Sequence, residues 1–449
     1  MKPLRVAIVS REYPPFFGGG IGTYVRWIVP ALINAGVRVH VITEAHDETQ
    51  PRVELDGMLT VHRLPMSIGR GGWTNAAARF SVSVGKKITQ LWQSDQIDIV
   101  EFAECEGAGV ALSMLNTHQH RLPTIVQLHT PSEQLFALRS WTSTTLGPAE
   151  LMYFNMERLA LRRADEILAP SQFIADWAAE HYGVSKSPTV IPYATGVLPP
   201  VPVAPDERKK RVLFIGRVEP RKGVESLLLA WNQVIRDHPD AELDLAGADT
   251  SGAPGGGSMK AYLLNQVESH AQQSVRFLGK LNSSALSQAY GEANLCIIPS
   301  LWENFPNTCI ESMSHARAVL VGDSGGMKEM IGSTQAGEVF RSGVVGDLYE
   351  KLSSMLGEGA GLIKRGQIAR AQIEHLCCPE RVAKLRIAHF EKVIALSKSC
   401  GECNQEQQAV LGVWKSFESV MKHDFANSGV PTLTPEVSQW VQRQGAKPC

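Results

Sequence analysis

The chain has 449 residues, 44% hydrophobic and 20% charged, with a net charge of −1. That length exceeds one compact core and points to two domains of roughly 200 residues each. The balance is that of an ordinary globular protein: it excludes a basic field for nucleic acid, and no run approaches the roughly 18 apolar residues of a spanning helix.

In chain order, LRVAIVS (4–10) reads as a first strand, and Arg11 and Glu12 end its apolar run too early for a signal peptide. The helical pattern TYVRWIVPALINAG (23–36) follows, then VRVHVIT (37–43), IDIVEF (97–102), TIVQLH (124–129) and DEILAP (165–170). These runs are rich in Val, Ile and Leu and do not alternate strictly, the mark of parallel strands covered by helices on both faces. The rhythm restarts with RVLFIG (211–216), AELDLAG (241–247), VRFLG (275–279), NLCIIPS (294–300) and AVLVGD (318–323). The expected fold class is therefore α/β, two Rossmann-like domains facing a central cleft. The first spans 1–196. A proline-dense linker covers 197–210, the second domain covers 211–395, and a helical or irregular tail covers 396–449, with a residual helical pattern at 407–425. Ligands of parallel sheets bind beyond the carboxyl ends of the strands, so loops of both domains should line the cleft.

Eight cysteines in 449 residues do not make a disulfide scaffold. Cys400 and Cys403 have CxxC spacing, but the nearest other pair is the adjacent Cys377 and Cys378, awkward for a four-ligand zinc site. Reduced thiols are the simpler reading. Together these features favour a cytoplasmic enzyme.

Three loops carry candidate chemistry. PPFFGGGIGTY (14–24) joins the first strand to the first helix, and its glycines let backbone amides approach an anion at a helix N-terminus. Its spacing fits neither GxGxxG nor a P-loop, and a tight turn needs only one or two of those glycines. GRVEPRKG (216–223) sets Arg217, Arg221 and Lys222 just past a strand and before a helix. Cations there oppose the helix dipole unless an anion neutralises them. A charged surface loop partnered by Glu219 and Glu225 is the alternative, and from this stretch alone both stand. In SLWENFPNTCIESMSH (300–315), Pro306 sits at a helix start, which leaves the amides of Asn307 and Thr308 free. Glu303 and Glu311 flank that turn, and paired carboxylates suit hydroxyl recognition. A plain helix start explains Glu303 but not Glu311 within an apolar run.

GRVEPRKG and ENFPNTCIE (303–311) resemble two signature segments of the retaining glycosyltransferases with the GT-B fold, the group-1 family with its E-x7-E motif. PPFFGGGIGTY resembles that family's first-domain glycine loop. ADEILAPSQFI (164–174) with VIPYATG (190–196) resembles its stretch ahead of the linker, and DSGGMKEMI (323–331) its loop after the E-x7-E helix. The match runs from about residue 5 to 395 in order.

The resemblance implies a nucleotide sugar, UDP- or GDP-linked, bound mostly to the second domain, with no other cofactor and no divalent metal. Arg217 and Lys222 would hold the diphosphate, Glu311 the ribose, and the backbone at Leu281 the base. Glu303, with Phe305, Asn307 and Thr308 after it, would hold the transferred sugar, and Gly19 and Gly20 would approach from the first domain. His129 matches a histidine beside the donor sugar, although a strand-end histidine is also often an ordinary hydrogen-bonded residue. Arg221 reads as the cation left to solvent. Many members have glycine where this chain has Pro306, so one amide donor is absent, which leaves the sugar open.

The acceptor would be a carbohydrate, a lipid-linked or a small-molecule hydroxyl held by the first domain. Glu104 and Glu106, with Glu101, follow a strand end and face either the cleft or solvent; residues 137–147 read as an acceptor loop. Lys86, Lys87, Arg158, Arg162 and Arg163 leave peripheral membrane contact at the cytoplasmic face open, against plain solvation. A sugar-nucleotide epimerase or hydrolase on the same fold is the main alternative, but it needs acid/base carboxylates that the sequence does not point to. A dehydrogenase would need GxGxxG, although Glu44 ends the second strand suggestively. A non-catalytic carbohydrate-binding protein would not be expected to keep Arg217, Lys222, Glu303 and Glu311 together.

Overall fold

The computed structural model describes residues 2–399, apart from 17, 47–51, 66–72, 116–120, 140–147, 185–186, 197, 201–203 and 333–334. The tail with Cys400 and Cys403 lies outside the described residues, as does most of the expected acceptor loop.

The first sheet contains β1 (Arg5–Val9), β2 (Arg38–Ala45), β3 (Arg52–Asp56), β4 (Leu59–Pro65), β5 (Ile99–Ala103), β6 (Thr124–Gln127), β7 (Glu166–Ala169) and β8 (Thr189–Val190), in the order β3-β4-β2-β1-β5-β6-β7-β8. Every pairing is parallel except β3 with β4. The second sheet contains β9 (Lys210–Ile215), β10 (Ala241–Ala246), β11 (Val275–Gly279), β12 (Leu295–Ile298), β13 (Ala318–Gly322) and β14 (Gly337–Phe340), all parallel, in the order β11-β10-β9-β12-β13-β14. These are the two expected Rossmann-like α/β domains. The non-alternating runs have the expected cause: in β9, Val212 and Phe214 enter one apolar cluster and Leu213 another, so both faces are covered.

One apolar cluster joins the domains. It runs from Val6 and Ile28 through Tyr193 and Phe305 to Cys309, Phe390 and Val393. The helix Pro379–Ser399 packs against the first-domain helix Gly20–Asn34. The second-domain boundary expected at 395 therefore falls inside a helix that packs on the first domain. Its anchor is Arg386, whose side chain is 0% exposed and bonds Glu101 at 2.5 Å and Gln127, beneath the ring of Tyr24. Tyr24 donates to the other oxygen of Glu101 at 2.6 Å. Glu101, one of three acidic residues expected to face cleft or solvent, is thus consumed by a buried ion pair. Among the described residues no helix is long and apolar enough to cross a membrane.

Removing one member of a buried ion pair strands the other charge. Arg386→Ala should therefore cost on the order of 3–5 kcal/mol, read by denaturant unfolding. A second buried pair predicts pH dependence. His40 on β2 and His62 on β4 meet at 3.1 Å; burial, chiefly, lowers their pKa values to about 4 and about 3. The unfolded chain binds their protons more readily, near pH 6.5 or about that. Their contribution is therefore complete above that pH and is lost as pH falls towards their folded values. Unfolding free energy should decline over this window, and less steeply in a His40→Leu/His62→Leu variant.

Candidate functional site

The cation loop leaves β9 at Ile215, passes Arg217, and turns through a short 3-10 segment, Pro220–Lys222, into the helix Val224–Asp237. Gly223 makes that turn. Its φ is +67°, and a Cβ there would lie 1.9 Å from the Pro299 carbonyl oxygen after β12, so only glycine fits. The close approach brings the loop against the segment that carries Glu303. Lys222 Nζ contacts Glu303 Oε1, which also accepts from Arg221 Nη1 at 2.9 Å and Ser300 Oγ at 3.2 Å. Burial acts to raise the Glu303 carboxyl's pKa, but Lys222 and Arg221 outweigh it and hold the value at about 2.

The three cations sort differently from the sequence expectation. Arg217 is the exposed one, with 63% of its side chain accessible and Glu219 at 3.2 Å. Arg221, expected in solvent, is 17% exposed because it is pinned between Glu303 and Glu219. Glu225, the other acid named for this loop, instead accepts from Tyr262 at 2.5 Å.

Glu311 lies in the helix Asn307–Ser314, which starts after Pro306. Tyr290 donates to its carboxylate at 3.0 Å and stacks on His315. Burial pushes the Glu311 carboxyl up, and the Tyr290 hydroxyl tempers the shift. Thr308 is in the first turn of this helix, and its carbonyl accepts from Ser312. Phe305 is buried edge-on against Tyr193, and Leu281 follows β11 and packs against the central cluster. Asn307 reaches across the domains, donating from Nδ2 to the Gly20 carbonyl at 3.2 Å. The glycine loop thus faces the E-x7-E helix. One oxygen of Glu12 already accepts from the amides of Gly18 and Gly19, at 3.1 and 2.8 Å, so the Gly19 amide is engaged internally. Sequence reasoning missed Glu12, although a carboxylate six residues ahead of a glycine run was a usable signal.

His129 lies two residues past the end of β6 rather than within it, with Nδ1 2.5 Å from the Tyr193 hydroxyl and its backbone carbonyl accepting from Asn304. Burial lowers its pKa to about 3, so the ring is neutral near pH 7. On the expected acceptor side, Glu104 is wholly buried and accepts from the Thr130 amide at 2.5 Å. Burial, reinforced by Glu157, raises its pKa to about 8. Glu106 is neutralised by Arg11, which also bonds Glu44. Neither carboxylate is an exposed charge. Of the candidate membrane cations, Arg158 is spent on Glu133 and Arg162 on the Tyr182 carbonyl.

A further junction joins the segments 164–174 and 323–331. Glu329 accepts from the amides of Gln172 at 2.7 Å and Phe173 at 2.8 Å, at the start of the helix Gln172–Tyr182, whose next amide is capped by Ser171. A Cβ on Gly326 would lie 2.6 Å from Ser171 Cβ, so the glycine permits this approach.

Two facing Rossmann-like domains, with a cation loop and an E-x7-E helix across from a glycine loop, define a GT-B glycosyltransferase. Residues 201–373 match the family described as Glycosyl transferases group 1, and residues 18–194 match Glycosyltransferase Family 4. The chain belongs to the group-1 glycosyltransferases. It is 23% identical over 391 residues to a glycogen synthase of Mycobacterium tuberculosis, covering 82% of this chain and 90% of that one. Its fold is similar to that of sucrose-phosphate synthase from Thermosynechococcus elongatus, with TM-score 0.69, 19% identity, and coverage of 88% of this chain and 100% of the other. It is also similar to the catalytic domain of starch synthase IV from Arabidopsis thaliana bound to ADP and acarbose, with TM-score 0.66, 14% identity, and coverage of 88% and 100%.

Glu329→Ala frees two amides at a helix start. Their hydrogen exchange should speed up by roughly tenfold, the expected loss for a charge-assisted contact at an exposed helix terminus. Unchanged exchange at Gln172 and Phe173 would show that the contact is not kept in solution.

Proposed function

We propose that the protein transfers a glycosyl group from a nucleoside diphosphate sugar to an acceptor hydroxyl in glycan biosynthesis, with retention of configuration and without a divalent metal. The observation that carries this reading is the arrangement of Lys222 and exposed Arg217 past the end of β9, beside Glu303 and opposite the glycine loop. Two cations that can turn to the cleft, a point charge and a planar fork, suit a diphosphate. Charge grows on the leaving diphosphate as the anomeric carbon gains oxocarbenium character, and preorganised cations act there. Glu311, held by Tyr290, takes the ribose hydroxyls, and the backbone at Leu281 receives the base. Glu303 and the first turn Asn307–Thr308 hold the transferred sugar. Neutral His129 serves as a hydrogen-bonding group beside it rather than as a cation. The acceptor hydroxyl enters on the leaving-group face and passes its proton to a departing phosphate oxygen. UDP- and GDP-sugars are the first candidates, and the ADP bound to the starch synthase adds ADP-sugars to the set.

A thermal-shift panel of UDP-, GDP- and ADP-sugars should single out one base by mass action. With that donor, Lys222→Ala should lower transfer by roughly 100- to 1,000-fold, as expected for loss of one charge-stabilising group. Treatment with EDTA should leave the wild-type rate unchanged. Transfer by Lys222→Ala at the wild-type rate overturns the leaving-group role, and loss of activity in EDTA overturns metal independence.

A further inference from the structure

We propose that Arg221 is a positioning residue that serves as the standing counter-ion of Glu303, leaving Lys222 free to turn to a ligand's phosphate. The inference rests on the donor-site reading above for the identity of that ligand.

The geometry separates a fixed cation from a movable one. Arg221 is held on several sides. Its Nη1 donates to Glu303 at 2.9 Å and lies 3.4 Å from the Trp302 carbonyl, its Nη2 donates to Glu219 at 3.0 Å, and its own carbonyl accepts from the Leu301 amide at 2.9 Å. A planar guanidinium can meet all these acceptors at once, whereas an ammonium cannot. Lys222 has one ion partner among the described residues, Glu303, on a flexible stem. Glu219 meanwhile bridges Arg221 to the exposed Arg217.

Charge decides the rest. Glu303 is 11% exposed, and its Oε1 faces two cations. A buried carboxylate with no counter-ion is strongly disfavoured. With Arg221 in place, Lys222 can leave Glu303 for a phosphate while the carboxylate keeps a cation and the Ser300 hydroxyl. Without Arg221, Lys222 is tied to Glu303, and diphosphate binding must break the last ion pair. The groups facing the carboxylate are Arg221, Lys222 and Ser300, with Glu219 behind Arg221. The loop is braced from the segment after β13 by the Gly326 amide, which donates to the Glu303 carbonyl at 2.9 Å.

The test uses the full chain and two readouts. In ligand-free protein labelled with 13C-glutamate, with Glu303 assigned by Glu303→Gln, the wild-type carboxyl should stay ionised through about pH 4.3, where ordinary glutamates titrate. In Arg221→Met its acid constant should fall at least tenfold, while Arg221→Lys should keep it near wild type. UDP, GDP and ADP are then titrated into each protein by calorimetry. For whichever binds the wild type, Kd should rise tenfold or more in Arg221→Met. Arg221→Gln replaces the Met variant if that one fails to fold. A residue that merely braced the turn would change the melting temperature but neither readout. An unchanged Glu303 titration, or an unchanged Kd, overturns the proposal. If none of the three nucleotides binds the wild type, the donor reading fails, and the titration alone decides whether Arg221 holds Glu303.

Discussion

A single carboxylate oxygen, Oε1 of Glu303, is shared by Lys222, Arg221 and Ser300, and the site is built around that sharing. The loop after β9 and the loop after β12 must come close enough for it to happen. Gly223 permits this on one side, where any side chain would strike the Pro299 carbonyl. Gly325 permits it on the other. Its φ is +93°, and a Cβ there would lie 1.9 Å from the Glu303 carbonyl oxygen. Both glycines serve close backbone approach, so the charge cluster is a product of backbone packing before it is a product of charge. Three cations against two carboxylates, Glu303 and Glu219, leave the cluster one positive charge in excess, which suits an anionic ligand.

The second constraint is the joint between the domains. Asn304 and Asn307 reach from the Glu303 segment to the backbone of His129 and Gly20, and Glu329 reaches from the short helix Met327–Ile331 to the amides of Gln172 and Phe173. The polypeptide then returns to the first domain, where Arg386 seats the last described helix on Glu101. The same short stretch of chain that carries the candidate chemistry therefore also carries two of the contacts between domains, those of Asn304 and Asn307. A change in one should be felt in the other, which is the physical basis for coupling ligand binding to closure in a cleft of this kind.

Much of this was legible in the sequence, for identifiable reasons. Strands buried on both faces announce themselves as apolar runs, so β1, β2, β5, β6, β7, β9, β10, β12 and β13 were readable, and edge strand β11, none of whose residues is fully buried, was read from the same rhythm. The hairpin β3–β4 was not: Val53 and Leu55 of its edge strand are 54% and 80% exposed, amid charged neighbours that give no core signal. Two-residue β8 and the sparse GEVF of β14 were likewise silent. The positions of Glu303, Glu311 and Lys222 followed from motif spacing. The division of labour between Arg217 and Arg221 did not, because it depends on a 3-10 turn and on which acids lie across a second loop. The same holds for Glu101, Glu104 and Glu106, whose acidity suggested a solvent-facing loop. Tertiary partners determine instead that one is ion-paired with Arg386, one is buried with its pKa raised, and one is matched to Arg11.

The central claim is that the Arg217–Lys222 loop holds a diphosphate. The most direct measurement is the 31P spectrum of the nucleoside diphosphate that binds this protein, recorded with the wild type and with Lys222→Ala at saturating protein. The account predicts that both phosphorus resonances move on binding the wild type and that the β-phosphorus displacement collapses in the variant while the nucleotide remains bound through Glu311 and the base site. Identical displacements in the two proteins would contradict it.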